Sequence, residues 1–170
     1  RLFDRYHEQV ASFAILGDES PTWRPARYGY RLWDCEVNLK FPVVKLLDYR
    51  KQLDMLKQHP NPFAVVVLAH LYTQKTRGQP EERYTLKWQL IRRLYERGYI
   101  KRDIQLLFRF IDWVMRLPPA LKEQFRTQLI AYEEERKMTY VTETIQLSKE
   151  DGMKQGLQQK AREDVVEVLT

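Results

Sequence analysis

Two groups of residues have the types and spacing to hold a polyanion. Trp23-Arg24-Pro25-Ala26-Arg27, with Tyr28 and Tyr30 beside it, interleaves arginines with aromatic rings. Arginines grip phosphates and rings stack on bases, so this is a candidate nucleic-acid contact. Arg92, Arg93 and Arg97, followed by Lys101 and Arg102, form the densest basic group and a second candidate. The plainer readings are an aromatic-rich loop packed on a sheet and a solvated helical surface. Charge is unevenly spread. Residues 1–60 carry ten basic and eight acidic side chains, 61–117 eleven and five, and 118–170 eight and ten. The middle segment alone therefore has an excess of +6, equal to the net charge of the chain. That is where a face releasing counter-ions from nucleic acid would need it.

Other chemistry is thinly represented. There is no Gly-rich phosphate loop, no Cys-x-x-Cys pair and no His-Glu-x-x-His. His7, His59 and His70 are isolated, and His70, inside an apolar run, reads as a hydrogen-bonded core residue. Cys35 reads as a small packing residue. A single cysteine forms no internal disulfide and suits a reducing cytoplasm. Asp34 and Glu36 would share a face on a strand, and with Asp48 could hold Mg²⁺ through hard oxygen ligands. Two carboxylates at a turn is the simpler account, so no catalytic or metal-ligating residue is assigned.

The elements that must position these residues divide into a strand-rich first part and a helical remainder. Arg1 to His7 (RLFDRYH) reads as helix with no capping residue ahead of it, as though the sequence began inside an element. Val10 to Leu16, closed by Gly17-Asp18, reads as a buried strand. Tyr28, Tyr30 and Leu32 alternate with Gly29 and Arg31, and Val37, Leu39 and Phe41 alternate with Asn38 and Lys40. Period-2 patterning predicts two half-buried strands joined through Trp33 to Glu36, with a further short strand in Val43 to Tyr49. Three or four strands make a poor sheet, which implies further strands upstream of Arg1.

From Arg50 the period changes to that of a helix. Arg50 to Gln58 is a short one, and Asn61 with Pro62 starts a longer one that runs toward Gly78. Pro80 to Arg97 places Tyr84, Trp88, Ile91 and Tyr95 on one face. Ile104 to Leu117 has ten apolar residues of fourteen, with Gln105, Arg109, Asp112 and Arg116 as a narrow polar stripe. Such a helix should be the hub of a bundle, with Asp112 pairing to Arg109 and Arg116 along that stripe. Pro118-Pro119 opens a last helix carrying Leu121, Phe125, Leu129 and Tyr132, which decays into a solvated Glu133-Glu134-Glu135 run. In the tail, Met153, Leu157, Ala161, Val165 and Val168 recur at three or four, a weak coiled-coil-like seam that could self-associate through 139–170. No apolar run reaches the ~18 residues of a membrane span.

The order of these segments resembles a known family. RLFDRYH, VASFAILGD, WRPARYGYRLWDCEV and FPVVKLLDYR are followed by NPFAVVVLAHL, LIRRLYERGY, DIQLLFRFIDWVMRLP and EEERKMTYVT. Together they look like the recombination-promoting nuclease family, also labelled transposases, of the PD-(D/E)XK nuclease superfamily. The likeness covers most of residues 1–140, and the GMKQGLQQ tail is similar to the Gln/Gly-rich end of such chains. The resemblance implies a Mg²⁺-dependent DNA endonuclease whose aspartate and Glu-x-Lys or Glu-x-Gln pair would precede Arg1. No catalytic residue carries over to this chain, which alone should be inert.

The expectation is an α+β, mostly helical chain. Residues 1–50 would form a partial PD-(D/E)XK-type sheet of three or four strands, 51–137 a helical subdomain and 138–170 a C-terminal helical tail. DNA would be the partner of the parent protein. The competing reading is a non-catalytic helical protein-interaction or oligomerisation module.

Overall fold

The computed structural model describes residues 2–142. It is α+β and mostly helical, and it divides into two compact units, one ending at Arg77 and one starting at Gly78. Residues 51–77 thus cluster with the strands, whereas the sequence had placed the division at 50/51.

The first unit opens with helix α1 (Leu2–Tyr6) and strand β1 (Ala14–Leu16). The strand is shorter and less buried than the Val10–Leu16 expectation. Leu16 alone is buried, while Val10, Phe13 and Ile15 are exposed. Strands β2 (Arg27–Leu32) and β3 (Cys35–Lys40) pair with each other antiparallel, and β1 pairs parallel with β4 (Val43–Lys45). Two separate two-stranded ladders therefore stand where one small sheet was expected. The turn in the hairpin is Trp33-Asp34 alone. After β4 the chain enters a 3-10 segment, Leu46–Gln52, rather than continuing extended to Tyr49, and then α2 (Leu53–Gln58).

Helix α3 (Phe63–Lys75) begins as its start signal predicts: Asn61 Oδ1 accepts the Phe63 N–H at 2.9 Å, and Pro62 is already helical. It packs on α2 and the 3-10 segment. Ala64, Val65, Leu68, Ala69, Leu71 and Tyr72 form the core of this unit with Leu56 and Leu16. His70 Nε2 lies 2.8 Å from the Gly17 carbonyl oxygen, so the helix is held against the end of β1. A Cβ on Gly17 would meet the His70 ring at 3.0 Å. Close approach, not turn geometry, favours glycine there.

The second unit holds α4 (Pro80–Glu96), α5 (Lys101–Val114) and α6 (Pro119–Glu135). Gly98 ends α4 at φ 67°, a conformation glycine adopts without a Cβ penalty. Leu90, Ile91 and Leu94 meet Ile104, Leu107, Phe108, Ile111 and Met115 of α5 and Phe125, Leu129 and Tyr132 of α6 in one core. Along one side Tyr84 and Trp88 stand edge-on to Phe125, and Trp88 and Tyr95 edge-on to Tyr132. This is the arrangement that ring quadrupoles favour.

Three sequence expectations change here. Helix α5 is buried on one face only, with Leu106 and Trp113 more than half exposed. Asp112 pairs with Lys87 of α4 at 2.6 Å, not with Arg109 or Arg116. Glu133, read as part of a solvated run, is 1% exposed. The seam from Met153 to Val168 lies outside the described residues. No helix among the described residues is long and apolar enough to cross a membrane.

Candidate nucleic-acid interface

The loop that carries Arg24 is pinned by a buried lysine. Lys45, on β4, directs Nζ to both carboxylate oxygens of Asp18 (2.6 and 2.7 Å) and to the Trp23 carbonyl (3.0 Å). Its side chain has no solvent exposure. All three ammonium donors thus have acceptors, which a buried cation requires. The same bond holds the Asp18 carboxyl below the usual aspartate range. Lys45 also sits 5.7 Å from the Trp23 ring centroid. The segment from Gly17 to Trp23 is therefore tied to the end of the parallel ladder.

Arg24 is engaged in an exposed ion pair. Its guanidinium forks onto Asp48, with Nη1 to Oδ2 at 2.8 Å and Nη2 to Oδ1 at 2.6 Å, and Nε donates to the Pro21 carbonyl. The pairing lowers the Asp48 carboxyl below its ordinary value and raises Arg24 above its own. Both groups are half exposed, so the pair orients the loop more than it stabilises the fold. It also occupies the two Asp48 oxygens that a metal shared with Asp34 and Glu36 would have needed. Among the described residues, no three His, Cys, Asp or Glu side chains are gathered closely enough to hold an ion together.

Arg27 lies in a different setting. It opens β2, and the ladder is extended at its base by Phe41 N–H donating to the Ala26 carbonyl at 3.1 Å. The register pairs Arg27 with Lys40, Gly29 with Asn38 and Arg31 with Glu36. Because side chains alternate, these six lie on one face of the hairpin. Tyr28 with Leu39, Tyr30 with Val37 and Leu32 with Cys35 lie on the other. All twelve residues of the two strands are exposed. Among the described residues, Arg27, Arg31 and Lys40 have no side-chain hydrogen bond or ion pair. The hairpin is thus a two-stranded ribbon, basic on one face and apolar on the other. Cys35, expected as a packing residue, is exposed on the apolar face.

Two local features shape the ribbon. A Cβ on Gly29 would meet the Val37 carbonyl oxygen at 2.7 Å, so only glycine lets the strands close here. Trp33, at the tip, has φ 52° and is 88% exposed. A bulky residue in the left-handed region is strained, and no packing offsets the strain.

In the second unit, Arg92 pairs with Glu96 one turn on, Nε to Oε1 at 2.9 Å. Arg93 and Arg97 are half-buried and engaged with other groups. Lys101 Nζ lies 5.9 Å from the Tyr140 ring centroid. Arg102 is exposed and, among the described residues, has no side-chain partner. Of the seven basic residues singled out from sequence, Arg27 and Arg102 keep uncommitted guanidinium groups, each in its own unit. Arg31 and Lys40 were missed. The strand alternation contains their signal, since each is an even number of residues from a neighbour on the face of Arg27.

The fold and this ribbon define an α+β, mostly helical protein with an exposed amphipathic hairpin. Compared with protein-family models, curated proteins and solved structures, the chain matches none.

Proposed function

We propose that this chain is the nucleic-acid-contacting part of a metal-dependent DNA endonuclease of the recombination-promoting type, and that the β2–β3 ribbon is its DNA arm. One observation carries the reading: Arg27, Arg31 and Lys40, without a side-chain partner among the described residues, stand on one face of a two-stranded ribbon with Asn38 and a single carboxylate, Glu36. A ribbon of that width enters the major groove of B-DNA, where the arginines and the lysine meet flanking phosphates and asparagine reads a base edge. The two-stranded parallel β1–β4 ladder, with open outer edges among the described residues, supports a sheet completed by other strands. The family resemblance supplies the reaction class and its Mg²⁺. The carboxylates described here do not make such a site, and no step is derived through the metal. The single thiol, Cys35, fits a reducing cytoplasm.

Fluorescence anisotropy with a labelled duplex, over a series of salt concentrations, tests the arm. Each phosphate contact contributes about 0.9 to the slope of log affinity against log salt, so R27A/R31A/K40A should lower the slope by about 2.7. A native chain that ignores duplex DNA at low salt, or a triple variant with an unchanged slope, overturns the reading.

The second reading, a protein-interaction module, is favoured by the other face of the ribbon. Tyr28, Tyr30, Leu32, Val37 and Leu39 are all more than a third exposed there. A molar mass above that of one chain, returning to one chain in Tyr30→Asp, would support it.

A further inference from the structure

Helix α5 carries a second apolar stripe, opposite its core face. Leu106, Phe110 and Trp113 follow at spacings of four and three, so they lie on one side of the helix at roughly 100° per residue. Leu106 is 53% exposed and Trp113 63%, while Phe110 is half-buried with its ring centroid 6.1 Å from that of Trp113. Arg102 and Arg109 are exposed along one edge of this stripe, with Arg116 just past the end of the helix. Side chains of this size exposed on the face of α5 turned away from the described core are the signature of a surface awaiting cover.

The chain itself leads to that surface. Tyr140 is held at the first turns of α5, where Gln105 Nε2 donates to its carbonyl at 2.8 Å and Lys101 lies over its ring. Glu133 fixes the backbone of Tyr140, Val141 and Thr142, so the exit point of the following segment is defined. Ten residues separate Thr142 from Met153. Extended, they span up to ~35 Å, more than the ~21 Å length of a helix the size of α5. Beyond them come Met153, Leu157, Ala161, Val165 and Val168; Lys154, Lys160 and Arg162 fall in the earlier part of this stretch, and Asp164 and Glu167 stand next to Val165 and Val168 at its end. An apolar seam whose end carries Asp164 and Glu167 matches an apolar stripe edged by arginines.

We infer that residues 153–168 dock, within the same chain, on the Leu106-Phe110-Trp113 stripe of α5, with Asp164 and Glu167 facing Arg102 and Arg109. The stripe and the tail then form one intramolecular contact, independent of the DNA arm.

Hydrogen–deuterium exchange of the full chain, read by mass spectrometry on peptides from 153–168, tests this. The native chain is compared with Leu106→Glu/Trp113→Glu and, as a control, with Trp33→Glu on the hairpin. Both stripe residues are more than half exposed, so the double variant keeps its core, and its urea midpoint checks this. The expected result is protection of at least ~10-fold in the native chain and the control, abolished in the double variant, at the mass of one chain. Free-rate exchange in the native chain overturns the inference, as does protection indifferent to the double variant. Protection that falls on dilution, at the mass of two chains, also overturns it and assigns the stripe to a second copy.

Discussion

The Glu133 carboxylate accepts the Tyr95 hydroxyl at 2.5 Å and three successive backbone N–H groups: Tyr140 at 3.0 Å, Val141 at 2.7 Å and Thr142 at 2.9 Å. Four donors converge on one buried anion, which joins α4 and α6 to the segment that follows them. Burial and the neighbouring carboxylate push the Tyr95 hydroxyl well above its ordinary value, so it remains a donor.

Glu133→Gln keeps the shape but turns one acceptor oxygen into an NH₂ group that opposes the backbone donors. The expected loss is about 3 kcal/mol, with Tyr95→Phe losing about 1–2. Urea unfolding of the second unit measures both. A Glu133→Gln variant within about 0.5 kcal/mol of native would show that water replaces these bonds without loss.

Lys87 and Asp112 call for the opposite treatment of their two members. Lys87 Nζ is buried against Asp112 (2.6 Å), the Met115 carbonyl (3.2 Å) and the face of Phe125. Removing the anion alone, in Asp112→Ala, strands a buried cation at a cost of about 3 kcal/mol, whereas Lys87→Met should be close to neutral. Burial lowers the lysine below its ordinary 10.5, and Asp112 only partly offsets this. Between the lowered and the ordinary value the unfolded chain binds more protons, so stability rises with pH across that window. In Lys87→Met the rise should vanish. If it persists, another group is responsible.

Acid should act on the first unit through Asp18. Its bond to Lys45 holds its folded value below 3.8, so the unfolded state takes up protons first as pH falls. The stabilisation is fully present above 3.8 and drains away as pH drops through the folded value. Asp48 and Asp54, lowered by Arg24 and Lys57, act with the same sign. Acid titration by circular dichroism should show a shallower decline in Asp18→Asn than in the native chain. Parallel curves would locate the acid sensitivity elsewhere.

Trp33→Gly relieves the left-handed backbone at the ribbon tip and should stabilise the hairpin by about 1 kcal/mol. The ring packs against little, being 88% exposed, so the substitution sacrifices few contacts. Amide exchange of Tyr30 and Val37 reports the change. If the Trp33 ring stacks on a base, the same variant binds DNA more weakly while it folds better. Faster amide exchange in the variant would mean that the ring holds the turn closed.

Local signals survive into the structure. Asn61-Pro62 starts a helix, Gly98 ends one, and the period-2 alternation of Tyr28, Tyr30 and Leu32 is a strand with one apolar face. Each of these depends on residues within a turn or two, where backbone geometry and short-range bonds decide. The same reach exposes what the residues alone left open. A period-2 pattern shows that a strand has an apolar face but not whether anything covers it, and here the described residues leave that face in water.

Partners far apart in sequence were decided by the tertiary structure. Lys45 finds Asp18 across 27 residues, Lys87 finds Asp112 across 25, and Tyr95 finds Glu133 across 38. Arg24 likewise finds Asp48 across 24 residues; the Lys87 pairing redirected Asp112 from its own helix, and packing buried a glutamate that its charged neighbours had disguised. A charge is drawn to whichever opposite charge the packed core brings near it in low dielectric, and sequence spacing does not encode that distance.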